Sequence, residues 1–377
     1  MKGRRVLFFS RDPGGTNAIM PLIGPLRSLG NEVSIYGKDA ALSIYRKKNI
    51  DCLDICDTIR SGTQEETDEF VRRARPDLIV TGTSSEDFTE RHLWRAAERA
   101  KIASFAVLDQ WTNYRLRLIP EGGDLSGGAS SELVVPSFFF IMDEFARNEM
   151  CALGIDREKL IVSGQPFFDY IRKTGNRFTT EEIEKLRHEL TAGREHSHVF
   201  LFASQPIASI HRKNGMAEDY WGYTEETILR SVVTCLSKLT EQLATEVTLV
   251  LRLHPKDKPN VYENALASVP DSLKVVVDRE IDSSLLLKAS DLVIGMFSML
   301  LLEAAILERR FISVQIGLKR ENPLIFDRMG LVRSILTEQE LEKTLRGILS
   351  GKNGEFPNLN FNFGATERIT NYLEGYR

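Results

Sequence analysis

The chain alternates strand-like and helix-like segments over most of its 377 residues, and this alternation limits the fold more than any other feature. In the first half, apolar strand-like runs cover residues 5–9, 32–36, 76–81, 102–108 and 138–142. Helix-like segments fall between them, including 17–29, 39–48 and 89–100. Strands and helices that alternate in this way pack as a parallel sheet with helices on both faces. The sequence therefore predicts an α/β protein.

A second series of the same kind follows, so two domains are expected. Its strand-like runs cover 198–203, 246–252, 272–277, 291–295 and 311–315, and its longest helix is predicted over 225–245. A chain of 377 residues is also long for a single core. We predict a doubly wound N-terminal domain (1–170), a polar linker (171–196) and a doubly wound C-terminal domain (197–362). The last segment (363–377) is predicted as a helix able to cross back to the first domain.

The composition excludes several classes of protein. A net charge of −4 offers no basic excess for neutralising nucleic-acid phosphates. No apolar run reaches the length of a membrane-spanning helix, although peripheral membrane association stays open. The 4 cysteines are scattered without metal-ligand or disulfide spacing, so a reducing cytoplasm is expected. Nothing in the sequence indicates an oligomeric state.

Ligands of doubly wound domains bind at the carboxyl ends of the strands, so the loops after the strands hold the candidate site residues. Asp12, Gly14 and Gly15 follow the first strand. The glycines allow close approach of a backbone, and Thr16 or Asn17 is expected to cap the next helix. The segment lacks the lysine and the third glycine of common phosphate-binding loops. A tight turn explains it as well as a ligand loop does.

A denser polar group follows the strand predicted over 102–108. It consists of Asp109, Trp111, Asn113, Tyr114 and Arg117. A carboxylate at a strand end can take a proton from an attacking hydroxyl, which makes Asp109 a candidate catalytic base. The neighbouring aromatic ring suits stacking on a sugar face, and an arginine suits a charged acceptor. The alternative is a surface loop that is stabilised by a tryptophan anchor and an Asp–Arg pair.

Two strand ends of the second half also carry polar side chains. Gln205 follows the strand at 198–203, and Arg252 and His254 end the strand at 246–252. Pro255 stops that strand and leaves His254 at its terminus rather than in the core. An isolated histidine is more often structural than catalytic. The flanking Arg252 and Lys256 nevertheless favour a functional role for His254 on the expected ligand edge.

Glu303 is a lone carboxylate in the otherwise apolar helix that follows the strand at 291–295. Burying a carboxylate there is costly unless hydrogen-bond donors meet it. Gly295 precedes the helix and Ser298 occupies the N-cap position, where free N–H groups and the helix dipole suit phosphate. These features together indicate a nucleotide pocket. The alternative is that Ser298 only caps the helix and Glu303 pairs with Arg309 or Arg310.

The sequence lacks the motifs of metal-dependent catalysis and of the common serine hydrolases. The chain contains no Asp-x-Asp and no other metal-ligand spacing, so a mechanism that needs a fixed metal is disfavoured. A Gly-x-Ser-x-Gly motif is also missing, which removes the common serine-hydrolase reading. We therefore expect no required cofactor.

Taken together, these residues resemble the GT-B glycosyltransferase superfamily, including its relative UDP-N-acetylglucosamine 2-epimerase. The resemblance is densest over 143–166 and 251–317. Arg252-Leu-His254-Pro255 is similar to the His-Pro motif of bacterial sialyltransferases, Kdo transferases and CDP-glycerol glycerophosphotransferases, whose histidine helps bind a cytidine nucleotide. Ser298, five residues before Glu303, resembles their Ser-Ser/Thr element, which holds donor phosphate. The resemblance implies two Rossmann-like domains that face a central cleft, with an acceptor domain (1–170) and a nucleotide-donor domain (197–362).

The chain departs from these families at identifiable positions. Met299 replaces the second Ser or Thr of the phosphate element. The Asp-Ser-Gly-Gly-x-x-Glu-Glu motif of the epimerase is matched only in part, with Gly295-Met-Phe-Ser298 in place of its glycines. A cytidine-type donor (CMP or CDP) is therefore favoured over UDP. The resemblance implies a metal-independent glycosyltransferase in bacterial polysaccharide or glycoconjugate synthesis. In this role Asp109 and His254 are catalytic, and the donor is bound by Gln205, Arg252, His254, Gly295, Ser298 and Glu303. The acceptor side comprises Asp12, Gly14, Gly15, Trp111, Asn113, Tyr114 and Arg117. The alternatives are a nucleotide-sugar 2-epimerase or hydrolase, and a non-catalytic nucleotide-sugar-binding protein.

Overall fold

The computed structural model consists of two compact units. It describes residues 3–123, 132–194, 196–257, 259–266, 269–270, 273–352 and 359–376. Unit 1 comprises Met1–Tyr170 with Phe361–Arg377, and unit 2 comprises Ile171–Asn360. The segment expected as a linker (171–196) lies in unit 2 and is largely helical.

Unit 1 contains a parallel sheet of seven strands in the order β3-β2-β1-β4-β5-β6-β7. The strands are β1 (Arg5–Ser10), β2 (Glu32–Gly37), β3 (Leu53–Asp54), β4 (Leu78–Thr81), β5 (Ala103–Val107), β6 (Phe138–Ile141) and β7 (Leu160–Val162). The helices that follow them are α1 (Pro13–Ser28), α2 (Ala40–Lys47), α3 (Gln64–Ala74), α4 (Thr89–Arg99), α5 (Glu144–Ala152) and α6 (Pro166–Gly175), which continues past residue 170. The strand order reverses between β1 and β4, so the loops after these two strands border the switch point.

Unit 2 contains a second parallel sheet, of five strands, in the order β10-β9-β8-β11-β12. The strands are β8 (His198–Ala203), β9 (Val247–Arg252), β10 (Leu273–Asp278), β11 (Leu292–Gly295) and β12 (Phe311–Ser313). The helices are α7 (Thr180–Thr191), α8 (Ile207–Lys213), α9 (Glu225–Leu243), α10 (Glu263–Leu266), α11 (Ser283–Ala289), α12 (Met299–Ile306), α13 (Ile325–Arg328) and α14 (Glu338–Leu349). Here the order reverses between β8 and β11. The α/β prediction of two doubly wound parallel sheets is confirmed.

Four details differ from the sequence-based expectation. Helix α1 begins at Pro13 instead of Asn17, because proline suits the first helical position; Asp12 is its N-cap residue, and neither Thr16 nor Asn17 caps it. Helix α8 is shorter than two full turns and carries no strong sequence pattern. The last strand ends at Ser313, and its continuation is a single bridge between Val314 and Ile335. The strand expected from residue 272 begins at Leu273, and residue 272 lies outside the described residues.

The last helix, α15 (Ala365–Gly375), packs within unit 1. Asp169 holds its start, accepting hydrogen bonds from the backbone N–H of Gly364 (2.7 Å) and Thr366 (2.8 Å). Arg4 donates to the carbonyl of Leu373 near its end (2.8 Å). Tyr372 lies edge-to-face against Phe140 of β6, with ring centroids 5.5 Å apart. Capping bonds and aromatic packing therefore join the end of the chain to the first sheet.

Candidate functional site

The turn between β1 and α1 approaches other backbone and side-chain atoms of unit 1 very closely. A Cβ on Gly14 would collide with Oδ2 of Asp109. A Cβ on Gly15 would lie 3.1 Å from Cα of Gly82, which follows β4. Both glycines belong to the first turn of α1, so their role is to let α1 sit against the loops after β4 and β5. Gly14, Gly15 and Asp109 therefore lie together at the switch point of the unit 1 sheet.

Asp109 is held in place through one of its two carboxylate oxygens. Its Oδ1 accepts hydrogen bonds from Arg117 Nη1 (2.7 Å) and Thr83 Oγ1 (3.0 Å). Its Oδ2 lies beside Gly14 and accepts no hydrogen bond from a described residue. Asp109 is only 6% exposed. The Asp–Arg pair is thus present, as in the alternative of a loop stabilised by such a pair. It uses only Oδ1, so Oδ2 of Asp109 stays at the ligand edge.

Arg117 and Asp109 form a buried ion pair rather than an acceptor-binding surface. Arg117 also donates to the carbonyl oxygen of Thr83 (2.8 Å) and of Thr112 (3.3 Å). These bonds use the guanidinium for fixing the loops after β4 and β5. Arg117 was expected to meet an acceptor, and its burial among these partners corrects that expectation.

Trp111 and Tyr114 are buried, which corrects the expectation that they face an acceptor. The indole Nε1 of Trp111 donates to Asp143 (2.8 Å), and its ring stacks on Phe168 with centroids 5.9 Å apart. Burying a large ring with its N–H satisfied stabilises the fold, and in this conformation it leaves no face for a sugar. Asn113 differs, because it is exposed and adopts a left-handed backbone with φ of 58°.

A charged network surrounds Asp12 at the same edge. Asp12 accepts hydrogen bonds from Arg11 (3.0 Å) and from Ser84 Oγ (2.7 Å). Lys38 after β2 donates to Asp87 after β4 (2.5 Å). Burial opposes ionisation of Asp87, but the hydrogen bonds from Lys38 and Thr89 outweigh it and lower the pKa of Asp87. Loops after three neighbouring strands are thus tied together by the Lys38–Asp87 ion pair and the Ser84–Asp12 hydrogen bond.

The sequence analysis missed Glu90, a buried carboxyl in the first turn of α4. Burial, together with the nearby Asp87, raises the pKa of Glu90 to about 8. A signal for this burial exists, because Glu90 shares a helical face with Leu93, Trp94 and Ala97 at the i, i+3, i+4, i+7 spacing. These three partners are buried.

In unit 2, His254 lies at the end of β9, and its tautomer follows from its contacts. Its backbone N–H donates to Ser204 Oγ (2.8 Å) and to Asp257 Oδ2 (3.0 Å). Its ring Nδ1 accepts from the backbone N–H of Lys256 (3.1 Å), so the proton of the neutral ring resides on Nε2. Burial lowers the pKa of His254, a shift that Asp257 opposes and Lys256 reinforces. The residue therefore offers an N–H donor rather than a positive charge at neutral pH.

Arg252 lies between two acidic groups. It forms an ion pair with Asp278 of β10 and donates to Ser283 Oγ (3.3 Å). It also lies close enough to Glu303 to lower the pKa of that residue. Asp278 fixes Arg252, and sequence reasoning did not single it out.

The loop before α12 is connected to the end of β8. Gln205 accepts a hydrogen bond through Oε1 from the backbone N–H of Phe297 (3.0 Å). Ser298 is the N-cap of α12, and its Oγ accepts from the backbone N–H of Leu300 (3.2 Å). Gly295 leaves room for close packing, since a Cβ there would lie 3.3 Å from Leu301 and 3.4 Å from Ala203. The switch point of this sheet thus brings Gln205, Gly295 and Ser298 together.

Glu303 lies in the second turn of α12 and is half-buried. Burial raises its pKa to about 7, with Arg252 opposing the shift and Asp282 adding to it. Its carboxylate makes no hydrogen bond or ion pair with a described residue, and neither Arg309 nor Arg310 pairs with it. The purely structural alternative for Glu303 therefore lacks the partner that it requires.

Two features are missing from the described part of the chain. No group of three or more His, Cys, Asp or Glu side chains is placed to hold a metal ion there. No described helix has the length and apolar character needed to cross a membrane.

Solved structures share this fold over nearly the whole chain. A putative UDP-N-acetylglucosamine 2-epimerase from Listeria monocytogenes matches with a TM-score of 0.66 at 17% identity, covering 98% of this chain and 96% of that chain. UDP-GlcNAc 2-epimerase from Neisseria meningitidis, bound to UDP-GlcNAc, matches with a TM-score of 0.65 at 14% identity, covering 100% of both chains. The wall teichoic acid polymerase TagF matches with a TM-score of 0.55 at 13% identity, covering 99% of this chain and 89% of that chain.

Sequence comparison adds no closer relationship, since no protein-family model and no curated protein sequence matches the chain. Identities this low establish a shared fold rather than a shared activity. The two sheet orders and the solved structures agree on that fold. The chain has the GT-B fold, with two Rossmann-like units, which it shares with the UDP-GlcNAc 2-epimerases and the GT-B glycosyltransferases.

Proposed function

We propose that the chain is a metal-independent glycosyltransferase, or a transferase of a related group, that uses a nucleotide-activated donor bound by unit 2. The observation that carries this proposal is Glu303. It is a half-buried carboxyl on the ligand edge, with a pKa of about 7 and no hydrogen-bond partner among the described residues. Burial disfavours the ionised form of this carboxyl, which is why its pKa is raised. A ligand that supplies hydroxyl donors removes that cost.

The other residues of this edge match the remaining parts of a nucleotide. Ser298 Oγ already accepts a hydrogen bond from Leu300, so its O–H is available to a phosphate oxygen. The free N–H groups at the start of α12 favour an anion at the same place. His254 offers Nε2–H as a second donor, and a bound phosphate favours its protonated form. Glu303 accepts the hydroxyls of the ribose. Together these groups stabilise the charge that develops on the leaving nucleotide.

Asp109 of unit 1 is the proposed base. Arg117 and Thr83 fix its Oδ1, which leaves Oδ2 beside Gly14 to take the proton. In the reaction the acceptor hydroxyl loses this proton while its oxygen bonds to the transferred group, and the bond from that group to the nucleotide phosphate breaks. Asn113, the exposed member of the same loop, is the proposed acceptor contact. The proposed setting is bacterial polysaccharide or glycoconjugate synthesis.

A nucleotide-sugar 2-epimerase is the second candidate, and one observation favours it. The solved structures with the higher TM-scores are described as UDP-GlcNAc 2-epimerases, and one of them contains UDP-GlcNAc. The resemblance of Arg252-Leu-His254-Pro255 to cytidine-dependent transferases, and the match to TagF, favour transfer. A binding protein without turnover would keep the nucleotide site but have no use for Asp109 Oδ2.

Two experiments in sequence separate these candidates. The first is a thermal-shift series with CMP, CDP, UDP, GDP and dTDP, in which a cytidine nucleotide is expected to give the largest stabilisation. A ligand at about 100 times its dissociation constant adds about 2.7 kcal/mol to the free energy of unfolding. No shift with any nucleotide at millimolar concentration would refute the donor site.

The second experiment incubates the protein with the matching activated sugar, with and without candidate acceptors. Transfer requires an acceptor and yields a new glycoside. Epimerisation or hydrolysis changes the donor when no acceptor is present. Nucleotide binding without any product, across donors and acceptors, would leave the binding-protein alternative.

A further inference from the structure

A cluster of aromatic side chains lies beside the start of α12 in unit 2. It consists of Tyr220 and Trp221, from the loop between α8 and α9, and of Phe297, which directly precedes Ser298. The Trp221 ring is tilted against that of Phe297 and lies edge-to-face against that of Tyr220, with centroids 5.9 Å apart in both pairs. All three residues are half-buried. Aromatic surface is therefore present next to the residue that is proposed to bind donor phosphate.

The loop that carries Trp221 is fixed to the segment after β12. The C=O of Trp221 accepts a hydrogen bond from the backbone N–H of Lys319 (2.9 Å). Gly222 has a φ of 100°, and a Cβ there would collide with a carbonyl oxygen of the same segment. Tyr223 is buried and donates through its hydroxyl to Oε1 of Gln315 (2.8 Å). Three consecutive residues thus hold the indole in place, so a ligand does not have to order it.

Trp221 differs from the other two tryptophans of the chain. Trp94 and Trp111 are buried in unit 1, and their indole N–H groups donate to Thr81 (2.9 Å) and Asp143 (2.8 Å). The Nε1–H of the half-buried Trp221 makes no hydrogen bond with a described residue. A ring surface and an N–H donor are therefore both available to a ligand at Trp221.

The order of the strands places this cluster on one side of Ser298 and the proposed ribose site on the other. Trp221 is bonded to the segment after β12, the neighbour of β11 at one end of the sheet. Arg252, which lies near Glu303, is paired with Asp278 of β10 at the other end. In an activated donor the phosphate lies between the ribose and the transferred group. With phosphate at Ser298 and ribose at Glu303, the transferred group lies toward the aromatic cluster.

We propose that Trp221 stacks on the transferred group of the donor, and that this group is a sugar ring rather than an open-chain polyol. One face of a sugar ring carries several C–H bonds, whose slight positive charge suits the negative face of an indole. Its hydroxyls suit a donor such as Nε1–H at the rim of an aromatic wall. An open chain has no such face. This inference rests on the proposed donor site of unit 2 and narrows its substrate to nucleotide-activated cyclic sugars.

Binding without an acceptor tests the stacking. The probes are three pairs of a nucleotide and its sugar conjugate: CMP and CMP-N-acetylneuraminate, CDP and CDP-glucose, and UDP and UDP-N-acetylglucosamine. CDP-glycerol is the open-chain probe. In calorimetric titrations, Trp221→Ala should bind the sugar conjugate of the preferred nucleotide about tenfold more weakly than the wild type does. Its affinity for the free nucleotide and for CDP-glycerol should stay unchanged.

Ile348→Ala is the control for lost packing. Ile348 of α14 is half-buried against the same core as Trp221. It lies beside His198 and Asp291, at the opposite ends of the strands from the ligand edge. This variant should bind every probe as the wild type does. Equal losses for nucleotide and conjugate in Trp221→Ala, or no loss for either, would overturn the stacking.

Trp221→Phe is the second variant, and it keeps a ring if the alanine variant does not fold. It should retain most of the preference for the sugar conjugate over the nucleotide, because only the N–H is lost. Fluorescence gives an independent measurement on the wild type, since Trp94 and Trp111 are buried and acrylamide reaches chiefly Trp221. The bound sugar conjugate should protect this fluorescence from quenching and the nucleotide should not. Equal protection by both would place the base on the indole and contradict the assignment.

The outcomes separate this inference from the proposed function. If none of the probes binds, the donor site is refuted and the stacking on a transferred sugar with it. If nucleotides bind and Trp221→Ala changes nothing, only the stacking is refuted. If the sugar conjugate loses affinity selectively in Trp221→Ala but no acceptor is ever glycosylated, the sugar site holds and the transferase function fails.

Discussion

The candidate carboxylates at the ligand edges of the two units differ in whether the protein supplies them with a partner. In unit 1, Asp109 is paired with Arg117 at 2.7 Å and is further fixed by Thr83. In unit 2, Glu303 has no ion-pair or hydrogen-bond partner among the described residues, and burial raises its pKa to about 7. Removing one member of a buried ion pair is strongly destabilising, because the other charge stays buried without a partner. Glu303 has no such partner among the described residues, so a ligand can supply the hydrogen-bond donors for its ionised form.

Because of this difference, Asp109 and Glu303 are expected to contribute differently to folding, turnover and ligand binding. Oδ1 of Asp109 has a structural contact, and only Oδ2 is open to chemistry. Both carboxylate oxygens of Glu303 are available to a ligand. Substitutions at Asp109 should therefore affect stability and turnover by separable amounts, while substitutions at Glu303 should affect ligand binding more than folding.

The largest effect is expected at Asp109. Asp109→Asn keeps an oxygen for Arg117 but removes the basic oxygen, so kcat should fall about 10²–10⁴-fold with nucleotide affinity nearly unchanged. Asp109→Ala also strands the buried Arg117 and should lower the free energy of unfolding by about 3–5 kcal/mol. Steady-state kinetics and denaturant unfolding measure the two effects. Near wild-type turnover in a folded Asp109→Asn variant would remove Asp109 from catalysis. Lost nucleotide affinity would place the donor in unit 1.

The next effect concerns nucleotide affinity at Glu303. A hydrogen bond to a charged group is worth about 1.5–3 kcal/mol, so Glu303→Ala should weaken nucleotide binding about 10–100-fold in a folded protein. The exposed Glu241 of α9 provides the matched control, and Glu241→Ala should bind as the wild type does. Titration calorimetry measures both variants. A large fall in melting temperature with unchanged affinity would show that the unpaired carboxyl belongs to the fold after all.

A smaller effect follows from the pKa of Glu303, which is raised to about 7. A folded pKa above the unfolded value means that the contribution of Glu303 to stability is present in acid and is lost as the pH rises through about 7. Ribose hydroxyls bind the ionised form, so affinity should rise over the same interval, by up to about tenfold per pH unit below the pKa. Glu303→Gln should not show this rise. Any change of affinity with pH that remains in this variant comes from titration of the phosphate and of His254. Parallel pH profiles for the two proteins would contradict the assignment.

The sequence was sufficient for the fold because periodicity and strand ends are local signals. It also identified the strand ends that carry Asp109 and His254 and the helix that carries Glu303. It could not tell a paired carboxylate from an unpaired one, because the Asp109–Arg117 contact depends on how the segment after β5 folds back. The same limit applies to Trp111, whose partner Asp143 lies 32 residues along the chain. Glu90 was recoverable from its apolar helical face, but the lack of a hydrogen-bond partner for its Oε2 among the described residues was visible only in three dimensions.

At the lower end of this series, we expect metal ions to have no effect on turnover. In the proposed reaction, donor phosphate is bound by Ser298, the start of α12 and the Nε2–H of His254, and the sequence lacks Asp-x-Asp. If these groups carry the developing charge, turnover should be the same with and without EDTA. The control is the Glu303→Ala variant, whose weakened binding should also be insensitive to EDTA. Activity that is lost on chelation and restored by Mg²⁺ or Mn²⁺ would overturn the metal-free mechanism. The metal would then take over part of the phosphate binding assigned to Ser298 and His254. The comparison between the two edges would have to include the residues that bind the metal.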